Sequence, residues 1–164
     1  MAKKKTNPKS IVINKRTVNL DAIVDEAMKD DMQHAWLLVG TALMKQEQMD
    51  AEEIKELRNS IKEPDATERN YRYAERLMGT RERPHVSLDD VTTAADLKKL
   101  KANMRKLALH TALCSICLGL REEKGFSEEK LRKIFSDVES LKKGIEEGTE
   151  SYDALEKRFP ASPV

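Results

Sequence analysis

The stretch Leu107–Leu120, LALHTALCSICLGL, decides the fold of this chain. It contains no charged residue, although 36% of the 164 residues are Asp, Glu, Lys or Arg. Arg-Glu-Glu-Lys and then Gly125 follow it directly, a pattern typical of the solvated last turn and the end of a helix. We therefore predict an all-α protein whose other helices pack around this buried central helix.

Two kinds of side chain alternate around this helix. Small residues recur on one face, and large aliphatic residues recur on a second face; the small ones are Ala108, Ala112, Ser115 and Gly119. A glycine inside a helix costs about 1 kcal/mol relative to alanine, so Gly119, and Gly40 in the first helix, need a packing reason. We predict that the first helix and the central helix cross near these two glycines.

Capping patterns place the helices before the central one. Asn19 is the predicted N-cap of a helix that runs to about residue 48. The sequence Asp50-Ala-Glu-Glu53 is a capping box that opens a second helix, ending near residue 61. Asp65 is the predicted cap of a third helix over about 66–78, which Gly79 ends.

Similar signals place the remaining helices. A capping box at residues 87–90 predicts a short helical turn, and Thr93-Ala-Ala-Asp96 opens the long central helix, which runs to about Lys124. Ser127 caps the next helix, and a short helix over about 151–158 closes the chain. The sequence thus predicts one domain of about six helices over residues 19–159, preceded by a basic arm or short β-hairpin at 1–18 and followed by a tail at 160–164.

The environment of the protein is suggested by its apolar runs and cysteines. The longest uncharged apolar runs, 35–44 and 107–120, are shorter than the roughly 20 residues of a membrane-spanning helix. The basic start lacks the apolar core of a secretory signal. Two closely spaced cysteines do not make a disulfide framework. We expect a cytoplasmic protein that has no membrane partner and that is either a monomer or a homodimer.

Charge is distributed unevenly, although the net charge is only +1. Residues 1–16 carry six cations and no acid, and residues 97–106 carry five cations and no acid. Residues 17–56 carry ten acids against three cations. Such a chain can present separate basic and acidic surfaces to a partner.

Two basic stripes are the candidate binding residues. Arginine suits phosphate and carboxylate recognition, and tyrosine can stack on a base. Both stripes have cations at i, i+3 and i+7, and the first is followed by two loop arginines; the candidates are Arg69, Arg72, Tyr73, Arg76, Arg81 and Arg83, then Lys98, Lys101 and Arg105. Glu68, Glu75 and Glu82 lie among the arginines, so a merely solvated mixed-charge surface is the alternative for the first stripe.

The central helix also carries a potential metal site. His110, Cys114 and Cys117 fall at i, i+4 and i+7, and His34 or His85 is available as a fourth ligand. Buried core residues are the favoured interpretation, because cysteine is among the most buried residue types. We expect no metal, no cofactor and no catalytic residue.

A further polar group lies on the first helix. Asp30 and His34 are spaced i, i+4, and with Asp31 they could form a modest polar site. A solvated surface pair is the ordinary alternative.

The last third of the chain resembles a group of small helical proteins. The pattern is an apolar helix, then Gly125-Phe126, then Lys130-Leu131-Arg132-x-x-Phe135, then a glycine-bounded acidic turn and Ser151-Tyr152-Asp153-Ala154-Leu155. Over residues 107–159 this resembles small helical proteins of phages and prophages of Gram-positive bacteria, except that Ser127 stands where a second glycine is common. The resemblance implies an accessory phage protein that binds nucleic acid or a host protein, and it carries over no functional residue.

Together these patterns favour a non-enzymatic protein that binds a macromolecule through its charged surface. In its most concrete form it is a phage-encoded regulator or inhibitor of a host system, such as a defence protein, with a host or phage protein as partner. The first alternative is a nucleic-acid-binding protein that uses the basic stripes. The second alternative is a metal-dependent enzyme centred on His110.

Overall fold

The computed structural model describes residues 10–13, 16–62, 67–80, 83–84 and 91–158. Two short strands form an antiparallel hairpin in which Ile11 lies opposite Val18, and six helices follow. The elements are β1 Ser10–Ile13, β2 Arg16–Asn19, α1 Leu20–Gln46, α2 Ala51–Ser60, α3 Glu68–Met78, α4 Ala94–Glu122, α5 Glu128–Glu147 and α6 Tyr152–Lys157. The predicted all-α class is confirmed, and the arm at its start includes a β-hairpin.

The predicted caps explain where most helices begin and end. The Asp50 side chain accepts from the backbone N–H of Glu53, and the Glu53 side chain accepts from the backbone N–H of Asp50. Thr93 and Asp96 make the same reciprocal pair at the start of α4. Gly79 ends α3 in the left-handed conformation, with φ of 77°, which a residue with a Cβ rarely adopts.

The predicted cap of α3 is wrong. Thr67, rather than Asp65, is the N-cap, because its hydroxyl oxygen accepts from the backbone N–H of Asn70. Asp65 itself lies outside the described residues. So do the predicted turn at 87–90, the arm at 1–9 and the tail at 160–164.

One apolar core joins all six helices, and the second half of α4 forms its centre. Residues 110, 112–114 and 116–120 are buried, whereas most residues in the first half of α4 are exposed or half-buried. Helix α1 packs along α4 more extensively than any other element does. Fully buried side chains come from neighbouring helices, among them Leu38, Leu43, Leu77, Leu113, Leu131, Ile134, Phe135 and Leu155. The central helix of the core is therefore α4, as the uncharged stretch Leu107–Leu120 predicted.

Gly40 and Gly119, the two glycines near which α1 and α4 are predicted to cross, are both buried. A Cβ built on Gly119 would overlap Cγ2 of Ile61, which is the C-cap residue of α2. The close approach at Gly119 is therefore made by the segment that leaves α2, rather than by α1.

Candidate functional site

The two basic stripes lie on separate helices. We call Arg69, Arg72 and Arg76 the α3 arginine stripe, and Lys98, Lys101 and Arg105 the α4 basic stripe. All six residues are exposed. Their spacing along the chain is the same, so the difference between them must come from their neighbours.

Two carboxylates of α3 pair with one member of the α3 arginine stripe and with the loop arginine that follows α3. Arg83 donates from Nε and Nη2 to the two carboxylate oxygens of Glu75, at 2.8 and 3.0 Å. It also donates from Nη1 to Glu68, at 2.9 Å, and Arg72 donates to the other oxygen of Glu68, at 3.3 Å. Hydrogen bonds from Arg83 hold the pKa of both glutamates below the ordinary range, and those glutamates raise the pKa of Arg83. Arg72 and Arg83 are therefore neutralised within the protein, whereas the other two members of the stripe form no ion pair with a described residue.

The tyrosine of this region is also engaged. Arg76 lies over the ring of Tyr73, with its Cζ 5.6 Å from the ring centroid. The Tyr73 hydroxyl accepts from Nε of Arg121, at 3.2 Å. Because one ring face is covered and the hydroxyl is bonded, Tyr73 is a poor platform for base stacking. Arg81 lies outside the described residues.

The α4 basic stripe has a different environment. None of its three cations forms an ion pair or a hydrogen bond to a side chain anywhere in the described ranges, and the same holds for the adjacent Lys99 and Lys106. All five are exposed. This half of α4 therefore presents a group of cations that residues of the described fold do not neutralise.

His110 belongs to the carboxylate network of α3. Its ring is 5% exposed, and its Nε2 lies 2.6 Å from Oε2 of Glu75. Since a carboxylate only accepts, Nε2 carries the hydrogen. Arg83, Glu75 and His110 thus form a continuous hydrogen-bonded chain that ties the loop after α3 to the central helix.

The structure brings together only part of the predicted metal set. Ligand atoms of His110, Cys114 and Glu75 lie within 4.8 Å of one another, and Cys117 is not in this group. The group fits a metal ion poorly, because both Glu75 oxygens already accept from Arg83. Burial raises the pKa of the Cys114 thiol to about 12 and raises that of Cys117 as well, which disfavours the thiolate that a metal needs. His34 lies in a different site, and His85 is outside the described residues.

A cleft of about 810 Å³ opens beside the end of the α4 basic stripe. Residues of α1, α4, α5 and α6 line it together with the loop that follows α3. Arg105 and Lys106 lie at its α4 side, and Leu109, Ile145 and Tyr152 give it apolar walls. Its volume is in the range of pockets that hold small molecules.

Asp31 is the most unusual side chain of this cleft. It is 5% exposed, and its Oδ1 lies 3.5 Å from Nδ1 of His34. Within the described part of the chain, its Oδ2 has no hydrogen-bond partner, and neither does Oγ1 of Thr80, which lines the same cleft. Burial raises the pKa of Asp31, an effect that the charges of His34 and Arg105 partly offset. Two buried polar atoms that lack partners therefore lie against one cleft.

The remaining contacts of the cleft hold its walls in place. The rings of His34 and Tyr152 stack with their centroids 3.8 Å apart, so α6 is fixed against α1. Burial raises the pKa of Tyr152 to about 12. Asp30, which the sequence paired with His34, lines the cleft but is exposed, and Asp31 takes the place next to the histidine.

Sequence reasoning missed Glu75 and the cleft. The glutamates among the α3 arginines were a usable signal for the first, because acids at those positions can pair with the arginines. Asp31 next to His34 was a partial signal for the second. No sequence pattern identified Thr80.

Two further findings bear on function. No helix among the described residues is long and apolar enough to cross a membrane. Comparison of the chain with protein-family models, curated proteins and solved structures found no match.

Proposed function

We propose that this protein acts by binding, and that its binding surface for an anionic macromolecule is the α4 basic stripe. The observation that supports this proposal is the difference in local charge between the two stripes: glutamates lie among the cations of α3, whereas residues 97–106 of α4 carry five cations and no acid. Arg72 and Arg83 near α3 are held by these carboxylates, whereas Lys98, Lys101 and Arg105 form no ion pair with a described residue. Cations left unpaired on one helix face are available to a polyanion.

Nucleic acid is the partner that this stripe fits best. Lys98 and Arg105 are seven residues apart, which corresponds to roughly 10 Å along a helix. Successive phosphates on one strand are several ångströms apart, so a strand passing along α4 meets more than one of these side chains. Lysine and arginine supply the sequence-independent part of nucleic-acid affinity by neutralising phosphates and releasing counterions.

The test compares two double variants by fluorescence anisotropy with a labelled 12-nucleotide DNA strand at 50 mM KCl. K98E/K101E should lower the affinity about 10- to 100-fold and flatten the salt dependence by about two phosphate contacts. The matched variant R69E/R76E changes the net charge equally, at two exposed arginines whose sequence neighbours are Glu68 and Glu75, and it should stay within about threefold of the wild type. Arg105 is left unchanged because it also lines the cleft.

This comparison separates a local binding surface from a general effect of charge. Equal losses in both variants would mean that only the net charge matters. No binding by the wild type at this low salt concentration would end the proposal for nucleic acid.

An acidic surface of a protein is the second partner that the same stripe fits. This version corresponds to the phage-encoded regulator or inhibitor of a host system that the resemblance of residues 107–159 suggests. A pull-down from host lysate should then retain a specific protein on the wild type and on R69E/R76E, but not on K98E/K101E. Mass spectrometry would name the partner, and recovery by all three proteins would contradict this version.

A further inference from the structure

The cleft and the α4 basic stripe are continuous with each other. Arg105 is the last member of the stripe and also a residue of the cleft wall, and Lys106 follows it into the cleft. Both are exposed and form no ion pair with a described residue, and Arg105 lies near enough to Asp31 for its charge to lower the pKa of that carboxyl. A phosphate that lies on the stripe at Arg105 is therefore at the mouth of the cleft.

The lining of the cleft includes a buried acceptor that lacks a donor. Asp31 Oδ2 and Thr80 Oγ1 each expose less than 1 Å² and have no hydrogen-bond partner among the described residues. An ionised carboxylate can only accept, so its missing partner must be an N–H or O–H group. Rotation about the last bond of an aspartate side chain is soft, so Oδ2 can turn toward a group that enters the cleft. A buried acceptor without a donor is costly, and a ligand that supplies the donor recovers that cost.

The lining of the cleft also suits a flat apolar group, because Leu109, Ile145 and Tyr152 contribute to it. Lys142 lines the cleft as well, but it is paired with Glu139 at 3.2 Å, so it is less available to an anion than Arg105 is. A ligand suited to these lining groups carries a hydrogen-bond donor for Asp31, a flat apolar group and an anion for Arg105.

We propose that the cleft binds one nucleotide of a single strand, whose base carries an exocyclic amino group that donates to Asp31 and whose phosphate lies against Arg105 and Lys106. This inference rests on the proposed function, because the rest of the strand follows the α4 basic stripe. Cytosine and adenine have the required amino group, whereas uracil and thymine present a carbonyl oxygen, which faces Asp31 as a second acceptor. The cleft thereby gives the protein a base preference that the stripe alone cannot give.

The test uses CMP and UMP as free mononucleotides, titrated into the full-length protein by isothermal titration calorimetry. These two probes differ at position 4 of the ring, where CMP has an amine and UMP a carbonyl. CMP should bind about tenfold more tightly than UMP, as expected for one discriminating hydrogen-bonded contact. Equal affinities, or no binding of CMP at millimolar concentration, would overturn the proposal without any variant being needed.

Two variants locate the preference within the cleft. Asp31→Asn should reduce the ratio of CMP to UMP affinity to about threefold or less, because its amide can rotate to present a donor or an acceptor. Asp30→Asn removes the neighbouring exposed carboxylate of the same cleft and should leave the ratio unchanged. A ratio that both variants reduce equally would mean that the net charge of the cleft, rather than Asp31, sets the preference, and this would overturn the assignment.

The outcome can be separated from that of the proposed function. If CMP is preferred through Asp31 but K98E/K101E does not weaken strand binding, then the cleft assignment stands and the stripe assignment fails. A second outcome is that K98E/K101E weakens strand binding, whereas 12-nucleotide strands of cytosine and thymine bind equally and CMP and UMP also bind equally. In that case the assignment of the stripe stands and the assignment of the cleft is wrong.

Discussion

The α3 and α4 stripes have the same sequence spacing but different acidic neighbours. Near α3, Arg83 and Arg72 are tied to Glu68 and Glu75, and through Glu75 to the buried His110. Along α4, the cations have no acidic partner among the described residues. A helical stripe of cations therefore indicates a binding surface only when the fold leaves those cations without acidic neighbours.

The two regions should therefore differ in what their charges do. Charges that bond to a half-buried carboxylate contribute to stability, because removing one partner leaves the other without compensation. Exposed charges without partners contribute little to stability and remain available for binding. Variants on both sides of this division can test it.

The largest expected effect follows from Glu75→Gln. The change removes the carboxylate that Arg83 and His110 share, and it leaves a buried ring N–H with a weaker acceptor. We expect the free energy of unfolding to fall by about 2–3 kcal/mol. Urea titration followed by circular dichroism measures it. Glu68→Gln is the control, because Glu68 is exposed and its substitution should lower the free energy of unfolding clearly less than Glu75→Gln does. Equal losses would remove the distinction between the two carboxylates.

The acid dependence of stability should report the same network. Hydrogen bonds, chiefly from Arg83, lower the pKa of Glu75 in the folded protein below its ordinary value of 4.5. A carboxyl with a lowered pKa stabilises the fold above its ordinary pKa, and this stabilisation is lost as the pH falls through the folded pKa. The difference between wild type and Glu75→Gln should therefore be full at pH 6–7 and shrink below about pH 4.5. A difference that stays constant down to pH 3 would contradict this assignment.

Asp31→Asn should have a smaller effect of the opposite sign. Burial raises the pKa of Asp31, so above that pKa the buried charge lowers the stability of the folded protein. The neutral amide of asparagine removes this destabilisation. We expect stability at pH 7 to rise by about 1 kcal/mol, or about 2–4 °C in Tm. The gain should shrink as the pH falls toward the ordinary value of 3.8. A loss of stability at pH 7 would mean that the contact with His34 outweighs the burial of the carboxylate.

The smallest expected effect belongs to the α4 stripe. Lys98→Ala with Lys101→Ala should change the free energy of unfolding by less than about 0.5 kcal/mol, because both side chains are exposed and unpaired among the described residues. Arg83→Ala is the comparison near α3, and it should cost about 1–2 kcal/mol, because it deprives the half-buried Glu75 of two hydrogen bonds. Thermal unfolding measures the stability of both variants. A larger loss of stability in the lysine variant than in Arg83→Ala would contradict the division of roles between the two regions.

The sequence predicted those parts of the fold that depend on residues close together in the chain. The reciprocal cap of Asp50 and Glu53, the left-handed Gly79 and the burial of most of 110–120 all follow from local patterns. The neighbour of Gly119 could not be predicted in this way, because Ile61 is distant in sequence and reaches α4 through the course of the chain after α2.

The candidate site was harder to predict for the same reason. Glu75 and His110 are 35 positions apart, and Asp31 and Thr80 meet only in the folded cleft. The sequence identified both stripes but could not show which of them is better suited to bind an anion. That difference depends on which acids lie close to each stripe in the folded protein. It also identified His34 with its acidic neighbours, but not which of Asp30 and Asp31 is buried.

The burial of the two cysteines has a practical consequence. Cys114 and Cys117 are the only cysteines of the chain and are fully buried, and the raised pKa of both thiols keeps them protonated at neutral pH. Maleimide dyes react with exposed thiolates, so the folded protein has an unreactive background for labelling. A cysteine placed at Ser136, an exposed position on α5 outside the cleft, would then accept one dye at one defined point. Distances from that point to a labelled strand could be measured by energy transfer without first removing the native cysteines.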